Sequence, residues 1–145
     1  MKSCFELFDR LSWIDGTPLR DHLDPYRRRI FEGALDTRDE SGRLAYNLVV
    51  TGRAKKNWKS ADLVLACLWC LIAGSLGGAD CFLLANDEDQ AADDLALAKK
   101  LLAANHALKE WLTIREKVIT RRDGRGFLKI LPAKDVAGTH GKTYR

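Results

Sequence analysis

Lys59 and Ser60 are the side chains with most chemistry to offer, because of what stands on either side of them. An apolar run, Leu48 to Val50, leads into Thr51-Gly52-Arg53-Ala54-Lys55-Lys56-Asn57-Trp58-Lys59-Ser60, and an apolar helical run follows at once. Strand, polar loop, Lys-Ser and helix, in that order, is the layout of a phosphate-binding loop. Backbone N–H groups at a helix N-terminus present partial positive charge to phosphate oxygens. The lysine reaches the terminal phosphates, and the hydroxyl beside it ligates Mg²⁺. The match is degenerate. Trp58 stands where the pattern asks for glycine before the lysine, and Arg53 stands where it asks for glycine five residues earlier. The plainer reading of the same residues is a basic loop ahead of a helix.

The rest of the composition bounds this chemistry. A chain of 145 residues suits one domain with a real core. A net charge of +4 permits a nucleic-acid partner without arguing for one. The first residues, 1–11, carry acids and no long apolar run, so no signal peptide is expected. The longest apolar run, 63–73, is too short to span a bilayer and reads as a buried helix, so no membrane partner is expected. Cysteines stand at positions 4, 67, 70 and 81. Cys67 and Cys70 have CxxC spacing but lie inside the apolar helix with no second Cys/His pair nearby. They read as a buried structural pair in a reducing cytoplasm.

The elements that must position Lys59 and Ser60 follow from periodicity. Phe5, Leu7, Phe8, Leu11, Trp13 and Ile14 form an apolar N-terminal patch closed by Asp15-Gly16-Thr17-Pro18. Asp24-Pro25 reads as N-cap and first helical residue. The following helix puts Tyr26, Ile30, Phe31, Ala34 and Leu35 on one face and turns Arg27, Arg28 and Arg29 mostly outward. A polar loop over 36–42 precedes a buried strand over 44–50. Residues 60–73 form a core helix ended by Gly74 and Gly77-Gly78. Residues 81–85 form a second buried strand, and Asn86 caps a helix whose buried stripe is Ala91, Leu95, Ala98 and Leu102. Strand–helix–strand–helix implies a parallel α/β sheet. A short helix near Ala107, Leu108 and Trp111 follows, then short strands over 112–114, 118–121 and 127–131, with Asp123-Gly124 as a hairpin turn. A second Gly-Lys-Thr, at 141–143, is rejected as a phosphate loop because no helix follows it.

Four of these stretches, in one order, resemble the start of a phage terminase large subunit, the ATP-driven motor that packages DNA. The likeness runs from about Leu23 onward. Leu23-Asp24-Pro25-Tyr26-Arg27-Arg28-Arg29-Ile30 is similar to the segment that lies near adenine in that family. Thr51 to Leu63 resembles its degenerate P-loop, and Leu83 to Ala91 its second strand and following helix. Arg121 to Ala133, with Ala137 to Gly141, resembles the hairpin and glycine turn ahead of the Walker B strand. The chain departs from the family pattern in having Arg27 where a glutamine is usual, and in ending before the Walker B acids and the nuclease domain.

The resemblance implies an α/β fold: a P-loop NTPase-like three-layer sandwich with a parallel central sheet, incomplete, plus a C-terminal β-hairpin. It implies one partial ATPase domain over 1–145, with 1–43 as lead-in and adenine-side segment and 44–145 as P-loop core. ATP and Mg²⁺ are the implied ligands. Lys59 would bind phosphate oxygens and Ser60 the metal, while Gly52, Arg53, Lys55, Lys56, Asn57 and Trp58 wrap the phosphates and Tyr26 and Arg27 lie on the adenine side. Arg53, Lys55 and Lys56 all remain open as the extra γ-phosphate charge. No catalytic residue is assigned, because the acid that polarises the attacking water belongs to the Walker B strand. The implied partners are double-stranded DNA, the terminase small subunit, the portal protein and other copies of the chain, in the cytoplasm of a host bacterium. Two other readings stand beside this one: a prophage remnant or nucleotide-binding interaction module without turnover, and a small P-loop kinase. In the resembled fold the P-loop strand and the next strand in sequence are not neighbours, so 44–50 and 81–85 are not expected to pair. Their open edges predict a marginally stable, association-prone chain.

Overall fold

The computed structural model describes residues 3–73 and 80–133. The chain divides into two units, Met1–Lys59 and Ser60–Arg145. The glycines expected to end the core helix, the glycine turn at 137–141 and the second Gly-Lys-Thr lie outside the described residues.

In the first unit, helix α1 (Phe5–Phe8) places Leu7 and Phe8 inside. A tight turn at Gly16, with φ +87°, brings Ser12 and Pro18 together as an antiparallel bridge. After a 3₁₀ turn (Leu19–His22), helix α2 (Pro25–Phe31) begins with Asp24 at its N-cap position and proline in its first turn, as the sequence predicts. It runs into a π-helical segment, Glu32–Asp36. The core here is Leu7, Phe8, Leu11, Trp13, Leu19, Leu23, Phe31 and Leu35, with Phe8 and Phe31 meeting edge-on at 5.0 Å between ring centres. Asp36 ties the segment back to α1, accepting from Ser3 Oγ at 2.6 Å and from the Cys4 N–H at 2.8 Å.

The strand expected over 44–50 is not there. Leu44 makes one isolated bridge, to Arg38, and residues 46–50 belong to no strand. Leu48 is 79% exposed and Val50 83% exposed. An apolar run records a tendency toward burial, but an inner parallel strand also needs hydrogen-bonding neighbours and cover on both faces. Among the described residues, none pairs with this run.

The second unit is built on helix α3 (Lys59–Ala73), strand β1 (Cys81–Ala85), helix α4 (Glu88–Ala104), helix α5 (Leu108–Trp111) and strands β2 (Leu112–Arg115), β3 (Val118–Arg121) and β4 (Phe127–Pro132). The sheet order is β1-β4-β3-β2. Among the described strands only β1 and β4 run parallel, with Leu83 opposite Ile130; β4 to β3 and β3 to β2 are antiparallel. The sheet is therefore mixed rather than parallel. The hairpin at Asp123-Gly124, where Gly124 takes φ +75°, reverses the chain and then joins the expected parallel sheet instead of standing apart from it. Helix α4 packs on β1 and β4. Its N-cap is Asp87, one residue later than expected: the Asp87 carboxylate accepts from the Gln90 N–H at 2.8 Å. Its buried face is Ala91, Asp94, Ala98, Leu101 and Leu102, with Leu95 only half-buried.

Helix α3 buries Val64, Leu65, Leu68, Trp69, Leu71 and Ile72, and its last described turn is held by Arg121. Arg121 Nη1 donates to the carbonyls of Leu71 at 3.0 Å and Ile72 at 2.8 Å, while Nε and Nη2 donate to the Asp123 carboxylate, the shortest at 2.6 Å. Arg122 donates to the Lys109 carbonyl at 2.6 Å, and Arg125 pairs with Asp123 at 3.0 Å. Arg121, Arg122 and Arg125 of the hairpin are thus engaged within the unit. Among the described residues no helix is long and apolar enough to cross a membrane.

Arg121→Ala is expected to lower stability in urea unfolding by about 1.5–3 kcal/mol, the range for hydrogen bonds to a charged group. Arg121→Lys should recover only part of it, because a point ammonium cannot span both carbonyls and the carboxylate. The Asp123 carboxyl is held well below the usual range, first by hydrogen bonds from Arg121 and then by the Arg125 N–H. Its contribution is complete above the unfolded value of about 3.9 and is lost as the pH falls further. Asp123→Asn should therefore flatten the acid limb of stability below about pH 4. A residual slope should remain, because Asp15 and Asp39 are also held low, mainly by hydrogen bonds from Thr17 and Ser41.

Candidate functional site

The loop before Lys59 has an unusual backbone. Lys56 and Trp58 take φ of +60° and +57°, and Asn57 between them keeps a negative φ. Where left-handed residues alternate with right-handed ones, successive N–H groups can turn toward one side as an anion-binding concavity. The alternation also explains the degenerate motif. Trp58 stands where the pattern asks for glycine, and its backbone has the left-handed conformation that glycine adopts without steric cost.

A tryptophan stays in that conformation because its side chain is held. The Trp58 ring meets Trp13 edge-on at 5.1 Å and His22 at 5.9 Å between centres, and the Arg27 guanidinium lies 4.5 Å from its centre. Arg27 was expected to turn outward. It is instead wholly buried, with Nη1 donating to the His22 carbonyl. Arg28 is half-exposed and pairs with Asp9 at 3.1 Å, while Arg29 is exposed. A guanidinium can be buried when an aromatic face and a carbonyl replace its water.

The other expected residues divide between those gathered and those left in solvent. Tyr26 Oη donates to Asn57 Oδ1 at 2.5 Å, and the Arg53 guanidinium lies 5.8 Å from the Tyr26 ring centre. Lys59 Nζ lies 3.5 Å from the Arg53 carbonyl oxygen, across the loop. Tyr26, Arg27, Arg53, Asn57, Trp58 and Lys59 are thus joined through the loop, Lys59 remaining exposed, whereas Gly52, Lys55 and Lys56 are exposed and stand outside this set of contacts. Trp13 and His22 meet each other at 5.9 Å between ring centres, but nothing in the sequence tied them to the loop, because Trp58 lies more than thirty positions away from both.

Ser60 belongs to the second unit. It is half-buried in the first turn of α3, and its Oγ accepts from Gln90 Nε2 at 3.3 Å. Among the described residues no group of His, Cys, Asp or Glu is disposed to hold a metal. Mg²⁺ commonly keeps several waters and takes one or two protein oxygens together with phosphate oxygens. A single hydroxyl fits an ion that arrives with a nucleotide rather than a resident one. Cys67 and Cys81 offer no nucleophile at neutral pH: burial pushes both thiols up to about 12.

No family model matches the chain, and no curated protein matches it. Among solved structures it is similar to the large terminase of bacteriophage HK97, with a TM-score of 0.74 over 98% of this chain. The fold is terminase-like. Sequence identity to that protein is 23%, and the chain spans 28% of its length. This likeness in fold agrees with the order of stretches read from the sequence.

The left-handed backbone at Trp58 makes a test of its own. Trp58→Ala removes the ring packing and leaves a Cβ at φ +57°. Trp58→Gly removes the ring and relieves the roughly 1–2 kcal/mol that a non-glycine residue costs there. In urea unfolding the glycine variant should therefore be more stable than the alanine variant, the reverse of the ordinary order. Both should be less stable than the parent.

Proposed function

We propose that this chain carries the nucleotide-phosphate site of a terminase-type, ATP-driven DNA-packaging motor, in a P-loop NTPase-like setting. The observation that carries the reading is the alternation of left-handed positions at Lys56 and Trp58 directly ahead of Lys59 and Ser60, which open helix α3. The terminase-like fold supports it.

In this reading the backbone from Gly52 to Trp58 wraps the phosphates, and the first N–H groups of α3 add the partial charge of a helix start. Lys59 binds β- and γ-phosphate oxygens; its ammonium, now against the Arg53 carbonyl, exchanges that weak partner for a charged one. Ser60 offers its hydroxyl to Mg²⁺. The ion supplies charge neutralisation of the phosphates when it is bound with ATP. Tyr26, held to the loop through Asn57, lies on the adenine side. Arg27 contributes by supporting the Trp58 ring, which keeps the loop in its anion-binding shape. Arg53, Lys55 and Lys56 supply positive charge around the phosphates. As part of such a motor the chain works with double-stranded DNA, a terminase small subunit, a portal protein and further copies of itself.

Lys59→Ala is the direct test. Loss of a charge-assisted phosphate contact should weaken ATP binding by about 2–4 kcal/mol, or roughly thirtyfold and more. Titration calorimetry with Mg²⁺ and ATP measures it. An unchanged affinity would remove the phosphate-loop assignment.

A further inference from the structure

Gln90 lies in the first turn of α4, where its backbone N–H completes the Asp87 cap. The amide nitrogen Nε2 is 2.9 Å from Asp94 Oδ1 and 3.3 Å from Ser60 Oγ. A primary amide nitrogen carries two protons, and here each has an acceptor. Asp94 is buried. The nitrogen of Gln90, not its oxygen, faces Asp94, and it faces Ser60 as well. Gln90 and Asp94 stand four positions apart on α4, the spacing at which helical side chains meet. The pair forms a stiff bracket aimed at one hydroxyl.

That geometry has a chemical consequence. A hydroxyl has one proton and two lone pairs, and it rotates to suit its partners. With the Gln90 N–H on one lone pair, the rotation is restricted, and the second lone pair is directed elsewhere. We propose that Gln90 is a positioning residue that orients the Ser60 hydroxyl to receive a nucleotide-borne Mg²⁺, with Asp94 locking the amide. This rests on the phosphate-site reading above. If Gln90 served only to satisfy Asp94, the metal dependence of nucleotide binding would be indifferent to it.

The test separates metal-dependent from metal-independent binding. Nucleotide affinity is measured by calorimetry in saturating Mg²⁺ and again in EDTA, using ATP as the probe. In the parent chain Mg²⁺ should strengthen binding. Gln90→Met, which keeps length and loses both donors, should leave affinity in EDTA unchanged. It should cut the Mg²⁺ enhancement roughly tenfold to a hundredfold, the usual effect of removing a group that orients a metal ligand. Gln90→Glu should do the same. Ser60→Ala should lose the enhancement outright and make a further Gln90→Met silent. Lys59→Ala should weaken binding with and without metal alike. Full Mg²⁺ enhancement in Gln90→Met would overturn the proposal and leave the phosphate site standing. Absence of nucleotide binding by the parent in both conditions would overturn the two together. Should the variants lose cooperative thermal unfolding, the parent decides: its Gln90 side-chain amide NMR signals should shift on adding Mg²⁺ with ADP and stay still with ADP in EDTA. Signals that stay still in both would overturn the proposal.

Discussion

The carbonyls of Leu71 and Ile72 lie in the last described turn of a helix with few polar side chains. Arg121 donates to both from strand β3, and Asp123 holds the same guanidinium from its other side. Helix α3 is thereby fixed at its far end to the sheet. At its near end Ser60 is held by Gln90 of α4, which packs on β1 and β4. Between these points the helix is fastened by apolar side chains, whose packing is strong but weakly directional. The polar contacts at the two ends set its register. A shift of α3 by one residue would strand Arg121 without its carbonyls and move the hydroxyl away from Gln90.

In the first unit the same logic operates around a single ring. A loop that needs left-handed residues normally recruits glycine, and this one uses Lys56 and Trp58. The steric cost at Trp58 is offset by what the ring meets: Trp13, His22 and the buried Arg27. The result is a loop stiffened by a side chain rather than loosened by glycine. A binding loop stiff in its working shape loses less entropy when a ligand arrives. Arg27, which departs from the glutamine usual in the resembled family, therefore has a physical role that does not require contact with a base.

The run from Tyr46 to Val50 is the point where local tendency and observed structure diverge most. Its side chains are exposed, and its backbone belongs to no described strand. Contiguous exposed β-prone residues form a surface for strand addition or association. The expected separation of this run from strand β1 presupposed a strand over 44–50, which does not form. The likeness to a phage large terminase rests on this arrangement of helices and strands and not on sequence identity.

What the amino-acid sequence determined by itself is local. Lys59-Ser60 ahead of a long apolar run, proline after Asp24, Asp123-Gly124 between short strands and the helix of residues 88–104 were all legible, because capping, turn chemistry and periodicity act over a few residues. What only the tertiary structure decided is which distant residues meet. Arg27 and Arg29 look alike in a run of three arginines, yet one is buried under a tryptophan and the other is in water. Arg121 stands beside Arg122 with nothing in the spacing to tell the two apart, yet it reaches carbonyls 49 and 50 residues away. Gln90 had no visible chemistry until Ser60, 30 residues back, lay beside it. Helix and turn preferences depend on a residue's immediate neighbours along the chain. The burial of a charge depends on donors, acceptors and aromatic faces brought from elsewhere, which sequence spacing does not encode.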